Sequence, residues 1–578
     1  MPAYAKRRTL TAHEKDALTG HSDLLAHLLF HRGLADKTSA DRFLNPDYER
    51  DTYDPSLLKD ADKAADRIIK AVKNNEKIAI YADYDADGIP GAAMFYDFFN
   101  RIGFKDFIIY IPHRHHEGFG LNEEAVASLS EQGAKLVITV DCGISDTVAV
   151  ERANKLGIDV IITDHHEPPQ GLPPAFAIVD HKQADCAYPD KDLCGTGVAF
   201  KLIQAILAKD RFGLKKGMEK WLLDLVGLAT LSDMVPLTGE NRVFAHYGLA
   251  VMRKSQRKGL KQLFSRLRMP QGYVTEDDIT FMITPRINAA SRMGVPMDAY
   301  DLLIADNDAD AALRAERLDR VNDERKGVVA SLVKEVKKTV RSRHGTDMPS
   351  VIVLGNPAWR PSLLGLAANS CVEEFHRPVF LWGRDGDSRF KGSCRSEGKT
   401  HVVELMRAVA PGVLTEFGGH RHSGGFTVND EAVHYLEQRL NEGAKRLSSD
   451  SGEANGPAGG EDDMIDAELS LEDIDSRLYD DISRLAPFGI GNPKPVFLFK
   501  KVSPTSVRRF GKGSEHIELV FDKENGGKIS AISFFGVTND WAPALQAGKT
   551  LDLVASLEKS MFRNTPELRL RVVDVIKS

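Results

Sequence analysis

Acidic and histidine side chains follow three short apolar runs in the first third of the chain. The runs and the residues after them are KIAIYA (77–82) before Asp83 and Asp85, KLVITV (135–140) before Asp141, and DVIIT (159–163) before Asp164, His165 and His166. If the runs are parallel strands, their carboxyl ends meet at one edge of a sheet, where such folds bind ligands. Carboxylates gathered there repel one another unless a divalent cation neutralises them. The pattern predicts a metal site, which Asp233, after the apolar helical pattern WLLDLVGLATL (221–231), could complete from the side.

The types of ligand narrow the choice of metal. Carboxylates with one or two imidazoles suit Mn²⁺ or Mg²⁺, whereas structural zinc prefers thiolates. Asp83 and Asp85 stand two positions apart at a strand end, so they could serve two ions. Two ions about 3.5–4 Å apart form a site for phosphoryl chemistry, because one activates water and both steady the charge of the transition state.

Each acidic motif also has a simpler interpretation. The pattern DxDxDG (83–88) occurs in calcium loops, but Met94 stands at the twelfth position, where an EF-hand has glutamate. Asp141 alone could cap a helix, and His165 and His166 alone could be hydrogen-bonded loop residues. Acid-bearing segments that converge on one sheet edge are hard to explain by capping, so the metal site is the favoured interpretation.

The elements that would position these residues follow from the hydrophobic pattern. Short strands alternate with helical patterns, which predicts a parallel sheet with helices on both faces. A proline-free helical pattern from Asp308 to about Arg343 predicts a long connection to a second α/β domain. A Ser, Gly, Asp and Glu-rich stretch predicts a flexible linker, and the short strands after it predict a small β-barrel. The predicted divisions are 1–75 (helical region), 76–305 (catalytic domain), 306–345 (connecting helix), 346–447 (second domain), 448–463 (linker) and 464–578 (barrel).

Composition limits the classes of function. The 578 residues carry a formal net charge of −7, which argues against indiscriminate coating of nucleic acid, although a basic cluster at 253–268 suggests a local phosphate track. Apolar runs stay far below about 18 residues, so no membrane span is expected. The basic N-terminus is not followed by an apolar segment, so no secretory signal is expected. Five cysteines without a CxxC pair argue against a disulfide framework and favour the reducing cytoplasm.

Eight motifs are spread along the chain in a characteristic order. They are YADYDADG (81–88), ITVDCGIS (138–145), ITDHHE (162–167), SDMVPLTGENR (232–242), PRINAASRM (285–293), KGSCRS (391–396), FGGHRHSGGF (417–426) and LAPFGIGNPKPVF (485–497). A lone DHH triplet is weak evidence, but the whole series in this order and spacing resembles the DHH phosphoesterase superfamily. Within that superfamily it resembles the RecJ family of single-strand-specific 5′→3′ exonucleases, over about residues 15–578.

The resemblance implies a fold, an activity and partners. The fold is α/β, with a parallel-sheet DHH domain, a long helix, a smaller DHHA1-type α/β domain and a C-terminal OB-fold β-barrel. The activity is the degradation of single-stranded DNA from the 5′ end to 5′ mononucleotides with two Mn²⁺ or Mg²⁺ ions, in recombination and repair. The implied partners are single-stranded DNA, a single-strand-binding protein and a RecQ-type helicase, and the enzyme would be a monomer.

The resemblance also implies roles for individual residues. The implied metal ligands are Asp83, Asp85, Asp141, His165 and Asp233, with Asp141 bridging the ions. The implied catalytic residues are Asp141, His166 beside the scissile phosphate, Asp164 as the partner that orients an imidazole, and His420 near the reacting nucleotide. The implied substrate-binding residues are Arg286, Asn288 and Arg292 on one loop, and Ser393, Arg395, Gly419 and His420 in the second domain. The chain departs from the family pattern at Tyr81-Ala82, Ser291, Arg360, Ser362 and Arg421.

Two other functions stay open at this point. A DHH phosphodiesterase acting on short oligonucleotides or cyclic dinucleotides would share the metal site, but it usually lacks the OB unit. A replication scaffold of the Cdc45 type would keep the fold and lose the ligands, and the intact acidic set argues against it. Repeated release of mononucleotides from a long labelled strand would distinguish the exonuclease from both.

Overall fold

The computed structural model describes residues 4–345, 347–386, 388–398, 400–409, 411–450, 464–511, 513–561 and 566–576. The chain begins with a short strand and five helices: β1 (Ala5–Lys6), α1 (Ala12–Ala17), α2 (Asp23–Phe30), α3 (Lys37–Leu44), α4 (Tyr48–Asp51) and α5 (Ala61–Lys73). Helix α2 begins where the Ser22 side chain accepts a hydrogen bond from the amide of Leu25, and Asp36 caps α3 in the same way. These side-chain caps satisfy amides in the first turn of each helix.

The central sheet consists of five parallel strands: β2 (Ile78–Ala82), β3 (Phe107–Tyr110), β4 (Leu136–Val140), β5 (Asp159–Thr163) and β6 (Ala177–Val179). Their spatial order is β3-β2-β4-β5-β6. The helices around them are α6 (Gly88–Arg101), α7 (Glu123–Glu131), α8 (Thr147–Lys155) and α9 (Gly195–Lys209). One face packs on α5, α6 and α9, and the other on α7 and α8. Every residue of β2 and β4 is buried, which confirms the predicted two-sided parallel sheet.

Six helices and a long connection follow the sheet. The six are α10 (Leu223–Ser232), α11 (Gly239–Met252), α12 (Lys258–Arg266), α13 (Glu276–Asp278), α14 (Thr284–Met293) and α15 (Met297–Ile304). The connection, α16 (Asp308–His344), packs on the first α/β unit through Leu318 and on the second through Val336. Leu313 and Val328 of this helix are exposed, whereas Ala315 and Leu318 are buried in the core of the first unit. Among the described residues, no helix combines the length and apolar character that crossing a membrane requires.

The second α/β unit has a mixed five-stranded sheet. Its elements are β7 (Ile352–Gly355), α17 (Pro361–Phe375), β8 (Val379–Arg384), β9 (Phe390–Arg395), α18 (Val402–Val409), β10 (Leu414–Gly419), β11 (Ser423–Val428) and α19 (Leu436–Asp450). The spatial order is β10-β11-β9-β8-β7, in which β7 and β8 are parallel and the other pairs antiparallel. The glycine-rich motif at 417–426 forms the β10–β11 hairpin. Helix α19 extends to Asp450, and residues 451–463 of the predicted linker lie outside the described residues.

The C-terminal unit is built from strands and one short helix. They are β12 (Met464–Ile465), β13 (Ala467–Glu468), α20 (Ser476–Ser483), β14 (Phe497–Val502), β15 (Ser506–Phe510), β16 (His516–Asp522), β17 (Lys528–Ser533), β18 (Leu551–Ser560) and β19 (Glu567–Ile576). Seven strands form one sheet in the order β13-β14-β18-β19-β17-β16-β15. The eighth, β12, pairs in parallel with β1, so the start of the chain is fastened to this unit.

The N-terminal helices pack on the C-terminal unit. Leu25, Leu28 and Leu29 of α2 share a core with Phe497 and Phe499 of β14. Helix α5, in contrast, packs under the central sheet. The predicted N-terminal helical region is thus divided between two cores, because periodicity shows which face of a helix is apolar and not which distant unit will cover it.

Candidate metal centre and interdomain cleft

Three strand ends place the predicted acids side by side. The backbone amides of Asp83, Asp141 and Asp164 each donate to the last carbonyl of the neighbouring strand, at 3.0 to 3.2 Å. Each acid therefore extends the sheet by one residue before its chain turns away. Asp141 makes that turn in the left-handed region, with φ of 61°, which is uncommon for a residue with a side chain.

The side chains of the five predicted metal ligands converge. Ligand atoms of Asp83, Asp85 and Asp141 all lie within 4.8 Å of one another, and Asp141 belongs to a second such group with His165 and His166. The Nε2 atom of His165 lies 3.1 Å from Asp141 Oδ1 and 3.8 Å from Asp233 Oδ2. Asp141 is common to both groups, so it is the carboxylate that two ions could share if both were bound.

The carboxylates form an electrostatically unfavourable cluster on their own. Burial, and then the charge of Asp85, raise the pKa of Asp83 well above its usual value. Burial, and then the charges of Asp87 and Asp85, likewise raise the pKa values of Asp141 and Asp233. Within the described part of the chain, the buried Oδ1 atoms of Asp83 and Asp141 have no partner in hydrogen-bond geometry, although the Nε2 atom of His165 lies 3.1 Å from the second of them. A buried, unpartnered carboxylate oxygen is costly, so these residues fit a divalent cation with oxygen ligands.

The two adjacent histidines have opposite electrostatic surroundings. Burial, and then His166, lower the pKa of His165 to about 3, so its imidazole is neutral and can bind a metal. For His166 burial acts in the same direction, but the hydrogen bond of its Nδ1 to Asp164 at 2.7 Å and the charge of that carboxylate raise the pKa to about 9. Asp164 also accepts hydrogen bonds from the amides of His165 and Ile144. Its geometry therefore matches the predicted role of orienting an imidazole.

The acid loops are braced by the start of α9. Both carboxylate oxygens of Asp87 accept backbone amide hydrogens, from Gly195 at 2.6 Å and from Thr196 at 2.8 Å. Gly195 also allows α9 to approach the metal loop, since a Cβ atom there would lie 2.5 Å from the Cβ of Asp141. Asp87 thus links the N-terminus of α9 to the loop that carries Asp83. A carboxylate is favourable at this position, because the N-terminal end of a helix carries partial positive charge.

A cleft between the two α/β units opens beside this centre. A cavity of about 1130 Å³ lies between the 113–119 loop of the first unit and strands β9 to β11 of the second. Phe119, which is 55% exposed, meets the ring of His166 at a centroid distance of 5.6 Å. Tyr84 lies under the guanidinium of Arg114, 4.8 Å from ring centroid to Cζ. The cleft therefore combines aromatic surfaces and positive charge next to the acids.

Arg292 of α14 lies close to three other arginines, Arg114 of the cleft, Arg325 of α16 and Arg395 of β9. Burial and then Arg114 lower the pKa of Arg292 to about 9, with further contributions from Arg325 and Arg395. Among the described residues, none of the four forms an ion pair with a carboxylate, although the protein as a whole is acidic. Unpaired guanidinium groups in a cleft are suited to bind phosphate groups.

Sequence reasoning missed Phe119, Arg114 and Arg325. The signal for the first two was present in the PHRHHEGFG segment (112–120), where an Arg and an aromatic residue follow a strand. Arg325 carries no local signal, because it is one of many basic residues on α16 and only packing brings it close to Arg292. His113, His115 and His116 also line the cavity.

The segment that carries Arg286, Asn288 and Arg292 is a helix, α14, and not the expected loop. Arg286 is 5% exposed, and its guanidinium binds Asp319 of α16 at 2.9 Å and the carbonyl of Met282. The predicted phosphate contact of Arg286 does not fit this position, because its donors are used inside the protein.

Asn288 and Arg292 face the cleft side of α14. The Asn288 side-chain oxygen accepts the amide of Ala86 at 2.9 Å, so it holds the loop that carries Asp85. The Arg292 guanidinium donates to the carbonyl of Ser362 at 2.8 Å, and the Ser362 hydroxyl donates back to the Arg292 carbonyl at 2.9 Å. This reciprocal pair joins the two α/β units beside the cleft.

The predicted substrate-binding residues of the second domain are divided between strand β9 and an exposed hairpin. Ser393 and Arg395 lie on the same face of β9, and Arg395 packs against Gly365, where a Cβ atom would lie 2.7 Å from its Nη2. His420 is exposed at the tip of the β10–β11 hairpin, and its amide donates to Ser423. Gly419 has φ of 138° and serves this tight turn, since a Cβ there would lie 2.3 Å from the Ser423 carbonyl. The roles predicted for Gly419 and His420 toward substrate stay predictions.

Several basic side chains of the predicted phosphate track (253–268) contact other groups of the protein. Arg257 is buried and binds Asp97 at 2.7 Å and Asp224 at 3.2 Å, and Arg266 binds Asp319 at 3.1 Å. The cluster stabilises helix packing, so its concentration of charge does not indicate a binding surface.

The aromatic side chains of the C-terminal unit differ in exposure. Phe521 is a core residue, Phe534 and Phe535 are 37% and 63% exposed, and Phe562 lies outside the described residues. The guanidinium carbon of Arg571 lies 4.1 Å from the Phe534 ring centroid. Phe534, Phe535 and Arg571 thus form an exposed aromatic and basic patch.

Comparison with known proteins agrees with this geometry. Three family models match the chain: the DHH family N-terminal domain at 77–230, the DHHA1 domain at 348–449 and the RecJ OB domain at 465–574. The single-stranded-DNA-specific exonuclease RecJ of Bacillus subtilis is 34% identical over 562 residues, covering 96% of this chain and 68% of that protein. Its counterpart in Haemophilus influenzae is 30% identical, covering 90% of this chain and 91% of that protein. This chain belongs to the RecJ family.

A solved structure of the RecJ family shares the whole architecture. The crystal structure of RecJ from Thermus thermophilus in complex with Mn²⁺ matches with a TM-score of 0.80 and 26% identity, and the match covers 99% of this chain and 79% of that one. The predicted RecJ-family fold is therefore confirmed, with a parallel-sheet DHH unit, a DHHA1 unit and a C-terminal OB unit. The matches do not favour the alternative of a phosphodiesterase for short oligonucleotides or cyclic dinucleotides.

Proposed function

We propose that this chain is a metal-dependent exonuclease that degrades single-stranded DNA from its 5′ end and releases 5′ mononucleotides. The observation that carries the proposal is the convergence of the five candidate metal ligands, beside a cleft lined by basic and aromatic side chains such as Arg114 and Phe119. The names of the related proteins, single-stranded-DNA-specific exonucleases, support the choice of substrate. A nuclease needs both parts, because the metal centre performs the chemistry and the cationic cleft holds the phosphates.

The metal site we propose uses Asp83, Asp85, Asp141, His165 and Asp233 for two Mn²⁺ or Mg²⁺ ions. The unpartnered buried oxygens of Asp83 and Asp141 and the neutral imidazole of His165 support this choice. When bound, such ions activate water for attack on phosphorus and offset the charge of the transition state. The hydrogen bond to Asp164 and the charge of that carboxylate raise the pKa of His166 to about 9, which favours the protonated imidazole. His166 would therefore place a positive charge beside the scissile phosphate.

The direction of degradation would be set by the second α/β unit. Ser393 and Arg395 on β9 would bind the terminal 5′ phosphate, and Arg292 and Arg114 would bind the next one. Phe119, exposed beside His166, offers a surface on which the base of the reacting nucleotide can stack. A strand held by phosphates and one stacked base is bound without reading its sequence.

The rest of the strand would run toward the OB unit. The exposed patch of Phe534, Phe535 and Arg571 has the aromatic and cationic groups that bind single strands by stacking. We further propose that the protein acts as a monomer in the cytoplasm, with a single-strand-binding protein and a RecQ-type helicase as partners in recombination and repair. The five cysteines are free and buried, as a reducing compartment would permit.

The test is the degradation of a long, uniformly labelled single strand with Mn²⁺, next to the same sequence as duplex and as fragments of two to five nucleotides. Stepwise release of 5′ mononucleotides from the single strand, and much slower attack on blunt duplex, is the expected result. Cleavage confined to the short fragments would instead favour the phosphodiesterase. Asp16→Asn on the exposed face of α1 serves as a charge-matched control for substitutions in the acid cluster.

A further inference from the structure

The segment from His113 to Leu121, here called the cleft loop, carries groups that would contact the substrate. Arg114 stacks on Tyr84 and Phe119 meets His166, so the position of this loop decides where both stand relative to the metal loops. The loop has no helix or strand of its own. Its conformation must therefore be fixed by contacts from neighbouring elements.

The end of the cleft loop is held by a buried tyrosine. Tyr81, the fourth residue of β2, has no exposed surface, and its hydroxyl donates to the carbonyl of Gly120 at 2.7 Å. The same hydroxyl accepts a hydrogen bond from the Asn122 side chain at 3.3 Å. Tyr81 stands at one of the positions where the chain departs from its family pattern, two residues before Asp83 on the same strand.

Further contacts from neighbouring residues also hold the cleft loop. Asp146 accepts the amide of Leu121 at 2.6 Å, and Gly120 has φ of 82° with no room for a Cβ, which would lie 2.6 Å from Asp146 Oδ2. The Tyr81 ring stacks on Tyr110 at a centroid distance of 5.3 Å, and the Tyr110 hydroxyl donates to Glu117 within the loop. Tyr81 thus contacts the loop directly and through its stacked neighbour.

We propose that Tyr81 is a positioning residue that couples the cleft loop to the metal loop. The strand that ends in Asp83 holds Gly120 through the Tyr81 hydroxyl, so Phe119 and the metal ligands keep a fixed spacing. Tyr81 contacts neither substrate nor metal in this account. The inference rests on the proposed function, since Phe119 and Arg114 matter only if a nucleotide enters the cleft.

The test compares the full-length protein with Tyr81→Phe, which removes the hydroxyl and keeps the ring. We expect the KM for a 5′-phosphorylated single strand to rise about three- to ten-fold, the effect of losing one buried hydrogen bond, while kcat changes little. The affinity for Mn²⁺, measured by calorimetry without DNA, should stay that of the wild type. Hydrogen exchange of the amides between 113 and 121 should become faster.

A matched control separates positioning from general stability. Tyr188→Phe removes another buried hydroxyl, one that donates to Glu240 away from the cleft, and should lower the melting temperature without changing KM. If Tyr81→Phe is too unstable to purify, Gly120→Ala displaces the same loop from its other side and should raise KM in the same way. An unchanged KM, or unchanged exchange in the loop, overturns the proposal.

The outcomes also separate this inference from the proposed function. If the wild type degrades no single strand, the proposed function fails, and hydrogen exchange still shows whether Tyr81 holds the loop. If the wild type is active and Tyr81→Phe changes both KM and the Mn²⁺ affinity, Tyr81 acts on the metal loop itself, and the coupling role is wrong.

Discussion

Asp141 is a residue whose buried carboxylate lowers the stability of the cation-free protein and offers a ligand to a cation. Its carboxylate is 3% exposed, lies among Asp83, Asp85 and Asp87, and leaves one buried oxygen without a partner in the described structure. Burial and repulsion of this kind disfavour the folded protein when no cation is present. A bound cation that recognises only the folded state reverses the balance.

Asp141→Asn should therefore separate stability from activity. We expect the variant to melt at a higher temperature than the wild type in EDTA, because one buried charge is removed. Added Mn²⁺ should stabilise the wild type by about 2.7 kcal/mol at a hundredfold excess over Kd, and the variant much less. Nuclease activity should fall by about 10³-fold or more, because the shared ligand is lost. Calorimetry with and without Mn²⁺ checks this, and full DNA degradation by the variant would refute the site.

The guanidinium of Arg395 is the single group that would determine the preference for a 5′-phosphorylated end. Arg395→Ala should raise the KM for a 5′-phosphorylated strand about ten-fold, the value of one charge-assisted contact, and change the KM for a 5′-hydroxyl strand much less. Competition between the two strands measures the ratio. Arg439→Ala, on the exposed face of α19, is the matched control, and an unchanged ratio in Arg395→Ala would contradict the assignment.

At the scale of elements, helix α14 explains why three residues of one motif have different roles. Asn288 and Arg292 are four positions apart, so they share the face toward the metal loop and the second domain. Arg286 lies on another face and binds Asp319 of α16. A loop would have left all three free to turn toward a phosphate, whereas a helix assigns each a direction.

Arg286→Ala should act mainly on stability. The substitution leaves Asp319 with Arg266 as its remaining partner, so we expect a loss of about 2 kcal/mol, less than for a buried pair broken completely. The KM for single-stranded DNA should change less than two-fold. Urea denaturation and steady-state kinetics on the same preparation check both parts, and a large rise in KM at unchanged stability would restore the predicted phosphate contact.

At the scale of the whole molecule, the two ends of the chain form one unit. Strand β1 pairs with β12, and α2 packs into the core of the C-terminal unit. The metal centre lies in a separate core, built on the central sheet. The candidate metal centre and the proposed binding surface for single-stranded DNA therefore lie on separate cores. The second core contains residues from both ends of the chain.

Removal of residues 1–44 should consequently impair the C-terminal unit and spare the metal centre. Leu18, Leu25, Leu28 and Leu29 are almost fully buried, and each contributes about 1.5–3 kcal/mol by burial, which together is comparable to the stability of a small domain. We expect rapid proteolysis within 464–578 and retained Mn²⁺ binding. Leu28→Ala, with an expected loss of about 3 kcal/mol, tests the same contact without truncation. A truncated protein that resists proteolysis as well as the wild type would show that the contact is dispensable.

The acidic strand ends could be predicted from sequence because their placement follows from local rules. Apolar runs of strand length, separated by helical patterns, make a parallel sheet, and such a sheet brings its carboxyl ends to one edge. Asp83, Asp141 and Asp164 are therefore neighbours once the strand order is known. The long helix and the C-terminal strands follow from the same kind of periodicity.

Only the tertiary structure shows which arginines form internal ion pairs with carboxylates and which do not. Arg257, Arg286 and Arg325 look alike in the sequence, but packing places the first two against carboxylates, whereas the third donates to the Asn322 side chain and forms no ion pair among the described residues. The placement of α2 on β14 was equally hidden, since any apolar face can cover any other. Periodicity determines the direction in which a side chain leaves its own element, and the partner it meets depends on contacts between segments hundreds of residues apart.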